Sequence, residues 1–342
     1  EPEREITPPV DYFWKDGVFG RADFHRIVSC RQAMPRRFAP SSRRADSAKL
    51  DDCSRSSASR RLFGSGPVRD ARPCGSAPFL QSLIPVPPMR ILLSNDDGYF
   101  APGLQALAAA LCEVGKIDVV APERDRSGAS NSLTLDRPLS LRKAASGFHY
   151  VNGTPTDCVH LAVTGMLDEL PDMVVSGINH GSNASINVIY SGTMSAAVEA
   201  GIEGIPAIGF SLDDFSWNAD FEPVKKHLKN IVEHTLENGL PQGVVLNVNF
   251  PKCAEADIKG IKICRQAQAQ WMEKFDKRTS PMGKEYYWLT GEFVNQDTGE
   301  DTDIWAMEHG CVSIVPVQFD LTAYHALAQL NAWKLNDRED EK

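Results

Sequence analysis

From residue 89 onward, short apolar runs alternate with amphipathic stretches. "RILLS" (90–94) carries an unbroken apolar run, Ile91–Leu93, between Arg90 and Ser94, the pattern of a short strand buried on both faces. After Pro102, "GLQALAAALCEVG" (103–115) repeats Leu and Ala at helical spacing and predicts an amphipathic helix. "KIDVVAP" (116–122) predicts the next strand, and "SLTLDRPLSLRK" (132–143) alternates at period two as an exposed β-excursion. The series continues with a helix over 155–167, a strand over 171–179, a helix over 192–204 and a strand over 205–211. A longer helix is expected over about 221–237 and a strand over 243–250.

Beyond residue 250 the pattern changes. "KEYYWLTGEFV" (284–294) is aromatic and alternating, and "DTDIWAMEHG" (301–310) is acidic and helical in pattern. A strand over 311–320 and a helix over 321–334 complete the chain. The prediction is an α/β protein with a doubly wound, mostly parallel core over about 89–250. An antiparallel accessory region follows over about 251–342.

Residues 1–88 carry no such periodicity. They hold 15 Lys and Arg against 10 Asp and Glu, whereas 89–342 hold 21 against 35. The Ser- and Arg-rich stretch "SSRRADSAKLDDCSRSSASRRLFGSG" buries too little apolar surface to offset its ordering entropy. The expectation is a disordered extension, or a reading frame opened upstream of a start at Met89. The acidic opening "EPERE" opposes a transit peptide.

The formal charge of -9 over 342 residues argues against a nucleic-acid groove. The eight cysteines are scattered, with no C-x-x-C, and read as reduced thiols. No apolar run approaches the roughly 20 residues a membrane helix needs. A cytoplasmic location, with no membrane or nucleic-acid partner, is expected.

In an open parallel sheet, ligands bind beyond the carboxyl ends of the strands. There the sequence sets Asn95, Asp96, Asp97 and Gly98 after the first strand, and Arg124, Arg126, Ser127 and Asn131 after the second. Ser176, Gly177, Asn179, His180, Ser182 and Asn183 follow at the third, and Ser191, Gly192 and Thr193 open a helix. Oxygen donors of this kind suit Mg²⁺ or Mn²⁺ better than zinc, and a helix N-terminus suits a phosphate. Each element also has a plainer reading. Asp–Asp–Gly can close a turn, Ser–Gly–Thr can cap a helix, and Asn179 and Asn183 suit tight turns. A lone loop histidine such as His180 is commonly surface or supporting, and His160 reads as a satisfied core residue. Convergence on one sheet edge favours a site.

The motifs "MRILLSNDDG", "APERDRSGASNSLTL", "GTPTDCV", "VVSGIN" and "YSGTMSAAVEA" together resemble the stationary-phase survival protein SurE family, from Met89 almost to the end. That resemblance implies a Rossmann-like core with a C-terminal arm exchanged between subunits of a homodimer or homotetramer. It implies a metal-dependent 5'-nucleotidase, acting on nucleoside monophosphates by water attack at one divalent cation per subunit. By the same resemblance Asp96, Asp97, Ser127 and Asn179 are the metal ligands. Asn131, Asn183, Ser191, Gly192 and Thr193 are the phosphate-side residues, and of the whole set Asp96, Asp97, Asn131, Asn183, Ser191 and Thr193 are catalytic. Two features depart from the family: "NASIN" (183–187) lacks the acidic pair many members carry, and the family starts at the position of Met89. A haloacid-dehalogenase-like phosphatase needs an alternating D-x-D, which "NDDG" does not offer. A non-catalytic nucleotide-binding regulator on the same sheet is the other alternative.

Overall fold

Ile91 and Leu93 of the first strand face one side of the sheet and Leu92 faces the other, and all three are fully buried. Two covered faces explain why Ile91, Leu92 and Leu93 are apolar in succession rather than at every second position. The structure, a computed structural model, describes residues 89–333 and 335; the segment 1–88 lies outside the described residues.

In chain order the elements are β1 (Arg90–Ser94), α1 (Pro102–Leu111), β2 (Lys116–Pro122), β3 (Leu141–Lys143), β4 (His149–Val151), α2 (Pro155–Leu161) and β5 (Met173–His180). Then come α3 (Gly192–Ile202), β6 (Ala207–Leu212), α4 (Lys225–Asn238), β7 (Val244–Phe250), β8 (Gly260–Ile263), β9 (Ala269–Thr279) and β10 (Glu285–Asn295). α5 (Asp303–Glu308), β11 (Cys311–Gln318) and α6 (Tyr324–Asn331) finish the described chain.

Nine strands form one sheet in the order β3-β4-β2-β1-β5-β6-β7-β11-β8. From β4 to β7 every neighbouring pair is parallel. β3 runs antiparallel to β4, β11 antiparallel to β7, and β8 parallel to β11. The chain winds outward from β1 through β2, then crosses to β5 on the other side of β1. The crevice between β1 and β5 is therefore the topological switch point, where ligands bind in such sheets. Leu104, Leu107 and Leu111 of α1 and Leu228, Ile231 and Val232 of α4 cover one face. Cys158 and Val159 of α2 and Ala196, Ala197 and Ala200 of α3 cover the other. Each fully buried Leu contributes about 1.5–3 kcal/mol.

Several local expectations change. Of the predicted β-excursion only Leu141–Lys143 is a strand, because backbone donors before it go elsewhere. Thr134 N donates to Asp157 Oδ1 at 3.0 Å, and Ser140 N to Asn152 Oδ1 at 2.8 Å. The helix expected to 167 is α-helical only to Leu161 and widens into a π turn over Ala162–Met166. β8 and β11 lie beyond residue 250 yet extend the main sheet. β9, whose charged residues hide it from a hydrophobic reading, pairs with β10 along eleven residues, Ala269–Thr279 against Glu285–Asn295. This ribbon exposes Phe275, Tyr287, Trp288 and Leu289, and α6 buries no residue.

Candidate active site

The first turn of the site leaves β1 at Ser94. Asn95 Nδ2 donates to Gly98 O at 2.9 Å, closing a turn in which Gly98 takes φ +103°, a conformation side chains resist. Asp96 and Asp97 are thereby held side by side at 4% and 7% exposure. Thr193 Oγ1 of α3 donates to Asp96 Oδ1 at 2.5 Å. A Cβ on Gly192 would stand 2.6 Å from Asp96 Cβ, so only glycine lets this helix start against the carboxylate. Burial, then the neighbouring charge of Asp97, pushes the Asp96 carboxyl up to about 7, against the lowering pull of the Thr193 hydrogen bond.

Asp97 Oδ2 lies 2.9 Å from His180 Nδ1. His180 ends β5, directly across the switch point from Asp97. Its neighbour Asn179 turns its amide nitrogen toward Gly181 O (2.8 Å) and His180 O (3.3 Å). The nitrogen is committed within its own loop, so the side-chain oxygen is the atom offered outward.

The second arm of the site follows β2. Asp125 Oδ1 accepts from both the backbone N and the Oγ of Ser127, each at 2.7 Å. The Ser127 hydroxyl proton goes to Asp125 within the loop, and its lone pairs remain for a ligand. Ser127 and Asn131 are exposed. The loop is nevertheless anchored: Arg126 N donates to Asp96 O at 2.8 Å, and Arg126 Nε donates to Gly153 O at 3.1 Å. Asp157 closes a capping box with Thr154 and also accepts from Thr134 Oγ1 at 2.6 Å. The "GTPTDC" segment thus braces the loop that bears Ser127 and Asn131.

Of the residues expected on the phosphate side, Asn183 follows β5 and Ser191, Gly192 and Thr193 open α3, whereas Asn131 lies on the loop after β2. Ser191 caps α3, its hydroxyl accepting from Met194 N at 3.0 Å, which leaves the first-turn amides of Gly192 and Thr193 at the positive end of the helix. Asn183 is buried: its N donates to Asn249 Oδ1 (2.7 Å) and its Nδ2 to Ser211 Oγ (2.8 Å). Asn247 Nδ2 donates to Asn183 O (2.9 Å), and Asn249 Nδ2 to Asn247 Oδ1 (3.1 Å). Farther along the same loop, Ser185 takes φ +56°, held by Asp303 Oδ2 on its N (2.8 Å) and by bonds from its hydroxyl to Ala267 O and Ala269 O.

Asp96, Asp97 and Thr193 are in one contact network with His180, and Asn179 adjoins it in sequence. Ser127 and Asn131 reach the edge from a separate, exposed loop. Asn247, Asn249, Ser211, Asp125 and Asp303 escape the sequence reading. The one signal available was N-x-N at the carboxyl end of β7, two amides on one face of an otherwise apolar strand. His160 lies 2.8 Å from Glu199 Oε1: it is satisfied as expected, but it is half-buried on α2 rather than a core residue.

A family model described as "Survival protein SurE" matches residues 91–273. The "5'-nucleotidase SurE" of Flavobacterium psychrophilum is 61% identical over 251 residues, covering 72% of this chain and 98% of that protein. The protein of the same name from Nitrosomonas europaea is 50% identical over 245 residues, covering 72% and 99%. The crystal structure of SurE protein from Aquifex aeolicus shares 43% identity at a TM-score of 0.64, over 71% of this chain and 99% of that one. The family match spans more than half of the sequence and the relatives are covered almost end to end: this chain belongs to the SurE survival-protein family.

Proposed function

We propose that this protein is a 5'-nucleotidase, a phosphohydrolase that depends on a divalent cation and removes phosphate from nucleoside 5'-monophosphates. The observation that carries this reading is the buried Asp96–Asp97 pair at the switch point. Two adjacent carboxylates withdrawn from water are costly unless a proton or a cation lies between them. Asp96 holds its proton up to about 7, and at higher pH a cation is the natural replacement. The side chains proposed as ligands, Asp96, Asp97, Ser127 and Asn179, all offer oxygens, which fits Mg²⁺ or Mn²⁺. When bound, such a cation supplies Lewis-acid stabilisation of charge on a phosphoryl oxygen.

The remaining steps belong to the chain itself. Thr193 and His180 fix the two carboxylates, so that the anionic site needs no rearrangement to bind. The Gly192 and Thr193 amides at the helix end receive phosphoryl oxygens. One of the two Asn183 side-chain N–H donors goes to Ser211, and the other serves the phosphate. Asn131 approaches from the exposed loop and completes the cradle. The bare faces of the β9–β10 ribbon and α6 support a homodimer or homotetramer in which copies of this chain cover them. Light scattering reads that assembly.

Release of phosphate from AMP with Mn²⁺, with EDTA and with neither tests the reading. Turnover restored by Mn²⁺ after chelation is expected. Tight AMP binding with no release under any of these conditions overturns catalysis and leaves a nucleotide-binding regulator. Among the described residues no helix is long and apolar enough to cross a membrane.

A further inference from the structure

Three aromatic rings lie against the turn that carries the acidic pair and against the end of β5 next to Asn179, and nothing in the phosphate chemistry uses them. The Phe100 ring covers Gly98, where a Cβ would come within 3.1 Å of its Cε1. The Phe215 ring covers Gly181, where the same distance would be 2.3 Å. Trp217 stacks on His180, with centroids 5.2 Å apart and planes 12° apart, and His180 in turn touches Asp97. The indole is therefore one ring removed from the candidate cation ligands.

Phe100 and Trp217 also meet each other, at 6.1 Å and a tilt of 47°. Phe100 is braced from behind by Tyr99, edge-on at 5.5 Å, and Tyr99 stacks on Tyr150 at 4.4 Å. Trp217 is braced by His180, which packs edge-on against Phe221 at 5.2 Å. Their inner sides are fixed and their outer sides are bare: Phe100 is 46% exposed and Trp217 49%. Single exposed aromatics are ordinary, but a rigid group drawn from two loops beside a ligand site is not. Rings held this way lose little entropy on binding, and they offer π-faces rather than hydrogen-bonding edges.

We propose that Phe100 and Trp217 form a stacking platform for the nucleobase of the substrate, giving this enzyme a preference for nucleotides over phosphomonoesters that lack a ring. The proposal rests on the phosphatase reading above, because the phosphate at Asp96–Asp97 places its own base beside these rings. Stacking tolerates any base, so the platform selects the class, with purines gaining more than pyrimidines through their larger face.

The test compares wild type, Phe100→Leu and Trp217→Phe on AMP, CMP and glycerol 2-phosphate, the last having a phosphoester and no ring. In Phe100→Leu the ratio of kcat/KM for AMP to that for glycerol 2-phosphate should fall about tenfold or more, mainly through KM, with a smaller fall for CMP. Trp217→Phe, which keeps a ring, should hold the ratio within about threefold. An unchanged ratio in Phe100→Leu, or equal losses on all three substrates, overturns the platform. A calorimetric titration with AMP and with inorganic phosphate separates this outcome from failure of the phosphatase reading. If the wild type turns over nothing, AMP affinity should still weaken about tenfold in Phe100→Leu while phosphate affinity holds. AMP affinity that does not change, or no AMP binding by the wild type, overturns it.

Discussion

The two arms that would grip a cation are built in opposite ways. The Asp96–Asp97 arm is buried, tied to α3 by Thr193 and to β5 by His180. The Ser127–Asn131 arm is exposed and relies on Asp125 within the loop and on Asp157 and the Gly153 carbonyl behind it. A buried arm is set by packing that the whole domain enforces, so its geometry is the same with or without a ligand. An exposed arm is set by a few local bonds and can adjust as a ligand enters. Charge sits on the rigid arm and neutral donors on the adaptable one.

This contrast can be broken hardest at Asp96. Asp96→Asn keeps the shape and removes the charge, so phosphate release should fall about 10³-fold with circular dichroism unchanged. Wild-type turnover in this variant at limiting Mn²⁺ sinks the assignment. Asn249→Ala attacks the amide ladder beneath Asn183 and strands the buried Asn183 N–H donor and the Asn247 Oδ1 acceptor. It should cost about 1–3 kcal/mol, visible as a loss of roughly 5 °C in Tm, and lower turnover as well. An unchanged Tm would mean the ladder is not under tension from burial.

The exposed arm should respond more weakly. Ser127→Ala is expected to weaken Mn²⁺ about tenfold, read in the metal dependence of activity, with no shift in Tm. A Tm loss like that of Asn249→Ala would erase the distinction between the arms. Proton binding gives the gentlest probe. The folded protein holds the Asp96 proton up to about 7, while an unfolded carboxyl releases it near 3.8. The stability this group contributes is thus fully present below about pH 4 and lost as pH rises to about 7. In metal-free protein the Tm of wild type should drop relative to Asp96→Asn across that window, and Mn²⁺ near neutral pH should reverse the drop.

What the sequence made legible follows from how far apart the interacting residues lie. Strands such as 90–94 and helices such as 103–115 announce themselves through local periodicity, and the acidic pair through its place at a strand end. β9 was invisible because Glu273, Lys274 and Asp276 break any apolar run, and its stability comes from pairing with β10. The His180–Asp97 contact spans 83 residues and the Ser185–Asp303 contact 118, and no local pattern encodes either. The accessory region after residue 250 looked separate because its composition changes, yet hydrogen bonding joins β11 to β7.

The clasp at Asp303 bears on the order in which the site comes into being. During synthesis Asp96, Ser127, Asn179 and α3 leave the ribosome long before the carboxylate that holds Ser185 and the loop behind Asn183. The strands from β1 to β7 can pair early, but the loop that carries Asn183 and Ser185 gains its Asp303 clasp only when the segment around residue 303 arrives. In cell-free translation, phosphatase activity should lag behind emergence of strands β1 to β7 and rise with the completed chain.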